Sequence, residues 1–225
     1  MTPQRNAHRV PAPALALAAA ALFGASTPLA APLVQTASPV LIAGLLYLGS
    51  VFGLGVWWLI ARPPLQLRGL PRRERAPLFG AVFFGGVLGP ALLMLGLRSA
   101  GAARTALLLN LEIVFTALIA WAVFHENAGA RVVAGMLFIF AGATLLTVGS
   151  TTGTGFAWGS VAVVAACLCW GIDNNLTREV ASPHPGAIAW LKGAVAGPIN
   201  IAIALKSLIT RRTAARSLPR LWGLV

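Results

Sequence analysis

Seven long apolar runs, separated by short polar segments, dominate the hydrophobic pattern of this chain. No charged residue occurs between Arg9 and Arg62, or between Arg131 and Asp173. A helix needs about 20 apolar residues to cross a bilayer, so each gap has room for two crossings and a turn. Because lipid offers no partner for unpaired backbone groups, the runs are predicted to be helices. They cover residues 12–34, 40–61, 77–97, 105–124, 132–149, 156–176 and 186–205.

The composition supports residence in a membrane. Of the 225 residues, 58% are hydrophobic and 10% are charged, and the mean hydropathy is +0.82. A soluble domain of this size needs a far more charged surface. The predicted fold class is therefore an all-α polytopic membrane protein, a helical bundle located in the cell membrane with the lipid bilayer as its first partner.

The distribution of basic residues predicts the orientation. A net charge of +12 would suggest nucleic acid as the partner of a soluble protein, but here the cations lie between the apolar runs, so no nucleic-acid partner is expected. With a cytoplasmic N-terminus, the outer segments up to residue 205 hold only Arg98 and Arg104. The inner segments hold Arg5, Arg9, Arg62, Arg68, Arg72, Arg73, Arg75, Arg131 and Arg178.

The basic tail, residues 206–225, does not fit this orientation. After seven crossings it would lie outside, although it carries five basic residues from Lys206 to Arg220. Either the seventh run is not a full crossing, or the tail is not native to a membrane fold, and a truncated or out-of-frame terminus is the favoured interpretation. Three further hydrophobic spans in another frame of the coding DNA would support it, and their absence would contradict it.

Two segments resemble each other at an offset of 147 residues. Residues 21–29, ALFGASTPL, and residues 168–176, LCWGIDNNL, both place an aromatic-Gly step before a short polar cluster and a leucine. Five spans separate the copies, so they would cross in opposite directions, as in inverted repeats that hold substrate near the midplane. The alternative is that small and polar residues merely let the helices pack closely.

Several motifs resemble the EamA family of the drug/metabolite transporter superfamily. The resemblance is carried by 101–121 (GAARTALLLNLEIVFTALIAW), 124–127 (FHEN) and 135–143 (GMLFIFAGA), with 23–30 (FGASTPLA), 45–50 (LLYLGS) and 170–178 (WGIDNNLTR) fitting one branch. Such proteins have ten helices in two inverted five-helix repeats and move small metabolites across the cytoplasmic membrane, often outward.

The resemblance implies a division of the chain and a function. Residues 1–11 form a cytoplasmic N-terminus, 12–149 a first five-helix repeat, 150–205 the first two helices of a second repeat, and 206–225 the basic tail. The implied function is export of a small-molecule metabolite by alternating access, either coupled to ions or protons or facilitative. A remnant that inserts without transporting is the alternative.

An intramembrane enzyme is the least favoured reading. Asp173 has no aspartate partner, and the three histidines lie outside the runs or at their ends. No nucleotide-binding motif appears, so ATP-driven transport by this chain is not expected. No cofactor is expected either. Cys167 and Cys169 lie in an apolar run without histidine or acidic neighbours and are interpreted as packing residues, so no metal is expected.

Glu112 is the acidic residue inside the fourth run, beside Asn110. An ionised carboxylate there costs about 2.5–3.5 kcal/mol on insertion scales, so it should face a cavity or a partner. Burial disfavours the charged form, which would suit reversible protonation during transport. The alternative is a neutral glutamate bonded to nearby backbone or to Asn110.

Asp173 and Lys192 are a second candidate pair, because hairpin geometry places both at about 7–11 Å from the same surface. A structural ion pair is the first interpretation and contact with substrate the second. Asn174 and Asn175 extend the polar face beside Asp173, and Ser26 and Thr27 are their counterparts in the first copy of the repeat.

Small residues three or four positions apart recur in the third run at Gly85, Gly86 and Gly89, and in the seventh at Gly193 and Gly197. Such spacing predicts close helix packing. It would also suit a homodimer face, which no other feature of the sequence supports.

Overall fold

The computed structural model describes residues 11–61, 71–148, 158–180 and 185–217. The predicted loop segments 62–70 and 150–155, and the tail from 218, lie outside these ranges. Within them the chain is helical. The elements are α1 (Ala12–Thr36), α2 (Pro39–Ala61), α3 (Arg72–Ala81), a π-helical segment (Val82–Leu88), α4 (Gly89–Ala100), α5 (Ala102–Leu108), α6 (Leu111–Phe124), α7 (Ala130–Val148), α8 (Trp158–Arg178) and α9 (Pro185–Ser217).

In the described part of the chain, six helical stretches are long and apolar enough to cross a membrane. Two of them are interrupted: Arg72–Ala100 contains the π-helical segment, and Ala102–Phe124 contains the turn between α5 and α6. The fifth predicted run is helical, but its apolar stretch Ala130–Leu145 is shorter than the length of about 20 residues that a crossing needs. The polytopic helical fold is therefore confirmed.

The last helix is longer than predicted, because α9 continues past residue 205 to Ser217. Residues 206–217 contain neither glycine nor proline, so no residue of low helix propensity interrupts the helix before Pro219. Residues 206–217 of the basic tail are thus a continuation of α9. Whether the tail is native stays a prediction.

The helix directions define two ends of the bundle. At the end that holds the α1–α2 turn, Gln35 of α1 donates a hydrogen bond to the carbonyl oxygen of Arg98 at the close of α4, with Nε2 and O 3.0 Å apart. At the opposite end, which we call the α2–α3 end, Arg178 at the close of α8 pairs with Glu126 just after α6. The third and fourth spans therefore run in opposite directions between these ends.

The π-helical segment changes which backbone groups are satisfied in the third span. The N–H of Gly89 donates to the carbonyl of Phe84, five residues earlier. Pro90 has no N–H, so it can serve neither Gly85 in a π pattern nor Gly86 in an α pattern. The carbonyl oxygens at Gly85 and Gly86 therefore lose a donor that an unbroken helix would supply, and donors on other helices can replace it.

Side chains from three other helices satisfy these two carbonyls. Tyr47 of α2 donates its hydroxyl to the Gly85 oxygen at 2.6 Å, and Trp170 of α8 donates its indole N–H to the same oxygen at 3.1 Å. Asn200 of α9 is fully buried and donates its amide to the Gly86 oxygen at 3.1 Å. The interrupted helix is thereby the point at which four helices are tied together.

Helices α2 and α9 pack against each other in antiparallel fashion. Gly44 of α2 lies against Gly197 and Ile201 of α9, while Gly193 lies against Tyr47 and Val51. The approach is close enough that a Cβ at Gly44 would stand 2.9 Å from the carbonyl oxygen of Gly197. The predicted close packing at Gly193 and Gly197 is present, with α2 as the partner.

We expect Gly44→Ala to lower the free energy of unfolding by about 1–3 kcal/mol, because its Cβ would lie 2.7 Å from the Ile201 side chain and 2.9 Å from the backbone oxygen of Gly197, which cannot move aside alone. Gly49→Ala in the same helix is the matched control, since its Cβ meets nothing within 4 Å. Thermal unfolding in detergent can be followed with a thiol-reactive dye, because Cys167 and Cys169 are buried. Equal melting temperatures for the two variants would contradict the tight α2–α9 contact.

Candidate functional site

Glu112 lies directly after a break in the fourth span. Helix α5 ends at Leu108 and α6 begins at Leu111, and the amide of Asn110 donates to the carbonyl of Leu107 at 3.0 Å. Asparagine side chains compete with helical backbone bonds in this way, which favours a turn at this position. Glu112 is therefore in the first turn of α6, where the helix dipole stabilises negative charge.

The carboxylate of Glu112 is bound by α8. Asn174 donates its amide to Glu112 Oε1 at 3.0 Å and to Thr116 Oγ1 at 3.2 Å, while the Thr116 hydroxyl donates to the Glu112 carbonyl at 2.8 Å. The hypothesis that Asn110 bonds the glutamate is wrong, because the turn before α6 directs the Asn110 amide to Leu107. The partner of Glu112 is instead on a different helix.

Three cavities share Glu112 as a lining residue. The first, which we call the aromatic cavity, measures about 430 Å³ and lies between α1, α2, α4, α6 and α8; its lining includes Phe23, Ser26, Tyr47, Met94, Glu112 and Trp170. The polar cavity measures about 360 Å³ and is lined by α6 and α8, including Glu112, Thr116, Asn174, Asn175 and Arg178. The α1 cavity measures about 460 Å³ and includes Thr27, Asn110 and Glu112.

The aromatic and polar cavities extend toward opposite ends of the bundle. The aromatic cavity is lined by the beginning of α2, at Ala43 and Tyr47, and by α4, which places it toward the α1–α2 end. The polar cavity reaches Glu126 and Arg178, where α6 and α8 end, at the α2–α3 end. Glu112 therefore lines two cavities whose other lining residues lie toward opposite ends of the bundle.

Asp173 and Lys192 form the predicted ion pair. Both side chains are largely buried, and Lys192 Nζ binds Asp173 Oδ1. Thr177 completes the cluster, since its hydroxyl donates to Asp173 at 2.9 Å and accepts from Lys192 at 2.9 Å. A Cβ on Gly85 would overlap the Asp173 carboxylate, so the glycine is what lets this pair lie against the third span. The cluster connects α8, α9 and the π-helical segment.

The other predicted residues are divided among these features. Asn175 is 3% exposed and donates to the carbonyls of Thr116 at 3.0 Å and Gly171 at 2.8 Å, so it ties α8 to α6. Ser26 lines the aromatic cavity, and its hydroxyl donates to the Phe23 carbonyl at 2.6 Å. Thr27 is 3% exposed beside the α1 cavity.

Residues missing from the predicted site are Tyr47, Trp170 and Asn200. Their signal is present in the sequence: Asn200 is a polar residue inside an apolar span, two positions after Pro198, and Pro90 follows a glycine pair. A proline inside a helix removes one backbone donor and so predicts a carbonyl short of a partner, which a buried donor on another helix can satisfy. What the sequence does not indicate is which donors do so.

Glu126 is an exposed residue just after α6. It accepts a hydrogen bond from the guanidinium of Arg178 at 2.5 Å, and this guanidinium lies 5.0 Å from the centre of the Phe124 ring. Both side chains remain about half exposed, so we assign the pair little stabilising energy. The pair shows, however, that Arg178 and the end of α6 lie at the same surface of the bundle.

No group of three or more histidine, cysteine, aspartate or glutamate side chains that could hold a metal ion occurs within the described ranges. Cys167 and Cys169 are free and buried, and the Cys167 thiol contacts the carbonyl oxygen of Leu108 at 3.4 Å. The polar groups that line these cavities include carboxylate, amide and hydroxyl groups and, in the polar cavity, the guanidinium of Arg178.

We expect Lys192→Met to destabilise the chain by about 3–5 kcal/mol, because it leaves Asp173 buried without its cation. The double variant Asp173→Asn with Lys192→Met should recover much of this loss, since no unpaired charge remains. Thermal unfolding in detergent of the single and double variants measures both effects. A double variant no more stable than the single one would argue against a structural ion pair.

Comparison with known proteins identifies the first two thirds of the chain. The sequence model of the EamA-like transporter family matches residues 11–148. Comparison with curated proteins and with solved structures gave no match. The match covers α1 to α7, including Glu112 and the π-helical segment, and the assignment of residues 150–205 to a second repeat stays a prediction. Since more than half of the chain is matched, this protein belongs to the EamA-like transporter family.

Proposed function

We propose that this chain moves small metabolites out of the cell by alternating access, with Glu112 as the group at which access changes sides. The observation that carries the proposal is the position of Glu112, which lines both the aromatic cavity and the polar cavity. A substrate passing between the two ends of the bundle meets this carboxylate from either side. Many transporters built from inverted repeats have their substrate sites at such helix breaks near the membrane midplane.

The bond between Asn174 and Glu112 is the element that switches in this proposal. When Glu112 is ionised, the bond is charge-assisted and holds α6 to α8 at the boundary of the polar cavity. Protonation removes the charge and makes one carboxyl oxygen a donor, which weakens the bond. The two states differ in how firmly α6 and α8 are held, which is the differential interaction that a proton-coupled change requires.

The remaining contacts of α8 supply the fixed frame for this motion. The carbonyls of Gly85 and Gly86 are bound from three helices, and the Asp173–Lys192 pair joins α8 to α9. The antiparallel packing of α2 and α9 supports two inverted repeats, because equivalent helices related by an axis in the membrane plane run in opposite directions.

We also propose that the α2–α3 end faces the cytoplasm. Arg72, Arg73 and Arg75 at the start of α3, Arg131 at the start of α7 and Arg178 at the end of α8 lie at that end. Arg98 and Arg104 lie at the other end. Cytoplasmic loops carry the excess of basic residues, so this distribution supports an inside N-terminus.

Cysteine accessibility tests the alternating-access proposal. In a background lacking Cys167 and Cys169, we expect Ser26→Cys and Ala117→Cys to react with a membrane-impermeant maleimide from opposite sides of oriented vesicles, since they line different cavities. Lowering the pH should raise the labelling rate at one position and lower it at the other. Labelling of both positions from one side would contradict the proposal.

Glu112→Gln should remove the pH dependence of this labelling without preventing membrane insertion, because a glutamine cannot change its charge. The matched control is Glu179→Gln, which neutralises an exposed carboxylate at the end of α8. Labelling rates between pH 5.5 and pH 8.5, chosen to bracket neutrality, provide the measurement. A Glu112→Gln protein that still responds to pH as the control does would show that another group carries the coupling.

A further inference from the structure

We propose that the substrate is an amphipathic organic monocation, an ammonium group on an aromatic or aliphatic body, bound in the aromatic cavity with its charge on Glu112. The inference rests on the proposed function and adds the chemical class of the substrate. It is carried by three observations: the cavity contains a carboxylate without a cation, its lining is aromatic and apolar, and the Glu112 carboxylate accepts a single hydrogen bond within the described ranges.

Glu112 supplies the uncompensated charge of the cavity. Asp173 and Glu126 are paired with Lys192 and Arg178, so each of these carboxylates has a cation of its own. Across the described ranges, no lysine or arginine pairs with Glu112, whose carboxylate receives one hydrogen bond, from the neutral amide of Asn174. A carboxylate in low dielectric without a cation favours a ligand that brings one.

The titratable groups around Glu112 add no unpaired positive charge, because Arg178, which shares the polar cavity with Glu112, is paired with Glu126. Tyr47 of α2 shares the aromatic cavity, and Cys167 and Asp173 of α8 interact with Glu112 electrostatically. All three are acids, and the cation nearest to Asp173, Lys192, is engaged by Asp173 and Thr177. The side chains of α1 and α4 that line the cavity are not titratable. The field at the carboxylate therefore disfavours an anionic ligand.

The walls suit an organic cation. Phe23, Tyr47 and Trp170 bring three aromatic rings to the cavity. The Tyr47 hydroxyl and the Trp170 N–H are both turned to the Gly85 carbonyl, so ring carbons, and not polar edges, are left to meet a ligand. Aromatic faces attract cations, and this attraction strengthens when water is excluded. Leu46, Leu93 and Met94 complete an apolar surface for the body of the ligand.

The same cavity disfavours other charge types. A carboxylate ligand would be placed beside Glu112 with no cation to offset it, and a zwitterion would bring such a carboxylate with its ammonium group. A neutral ligand would leave Glu112 unpaired. The volume of about 430 Å³ lies within the range of about 300–1,000 Å³ found for small-molecule pockets.

Binding of such a cation is exchanged for a proton. The protonated carboxyl of Glu112 releases H⁺ to solvent, and the resulting carboxylate forms an ion pair with the incoming ammonium. One positive charge leaves the site for each one that enters, so the occupied and protonated forms carry the same charge. A lower pH therefore weakens cation binding by competition.

Isothermal titration calorimetry on the purified chain in detergent tests the inference with ligands that share one ring. We expect phenethylamine to bind at least about tenfold more tightly than 2-phenylethanol, its neutral analogue, and than L-phenylalanine, its zwitterionic analogue. Titrations below neutral pH in buffers of different ionisation enthalpy should show up to one proton released per phenethylamine bound. Equal affinities for the amine and the alcohol would overturn the proposal.

Variants at the carboxylate separate charge from shape. Glu112→Gln should lower phenethylamine affinity at least about tenfold and abolish proton release, Glu112→Asp should retain both, and the control Glu179→Gln should leave both unchanged. A Glu112→Gln protein that melts like the parent and binds the amine equally well would contradict the inference. If Glu112→Gln fails to fold, loss of amine binding at low pH in the parent chain replaces it, and unchanged binding there would overturn the inference.

The outcomes for substrate class and for transport are distinguishable. If phenethylamine does not bind but the labelling of Ser26→Cys and Ala117→Cys still responds to pH in opposite directions, alternating access stands and the cationic class fails. If phenethylamine binds through Glu112 but labelling is independent of pH, the site is a cation-binding site without the proposed switch. Failure of both measurements would remove the proposed function together with the substrate class.

Discussion

Two backbone carbonyls, at Gly85 and Gly86, set the constraint on which this bundle depends. Pro90, which has no N–H, deprives them of a donor within their own helix, inside an apolar span. Tyr47, Trp170 and Asn200 meet that requirement from α2, α8 and α9. The relative rotation of these helices follows from this, because each donor must point at the third span.

That rotation determines the character of the site. With their polar edges directed at Gly85, Tyr47 and Trp170 turn their rings to the aromatic cavity. The same orientation of α8 brings Asn174 to Glu112 on one side and Asp173 to Lys192 on the other. One helix thus carries a rigid ion pair and a bond that protonation can weaken, a few residues apart. This separation allows one contact to change while the other holds the frame.

The sequence predicted those features that depend only on position along a helix axis. Apolar length locates the spans, and helical rise places Asp173 and Lys192 at equal depth, so their pair could be anticipated. The Glu112–Asn174 bond could not, since it depends on how α6 and α8 are rotated about their axes. The π-helical segment could not be predicted for a related reason, because its carbonyls are bonded by donors 38 to 114 positions away in the chain.

The hydrogen bonds to the Gly85 and Gly86 carbonyls also determine which second substitutions can compensate for the loss of a donor. A backbone carbonyl cannot be deleted by any codon change, whereas each of its donors can be lost by a single one. A substitution at Asn200 therefore removes the side-chain donor to the Gly86 oxygen, whereas a substitution at Tyr47 or Trp170 leaves the Gly85 oxygen with the other of its two donors. We expect substitutions that compensate for a lost donor to introduce a new donor on a different helix.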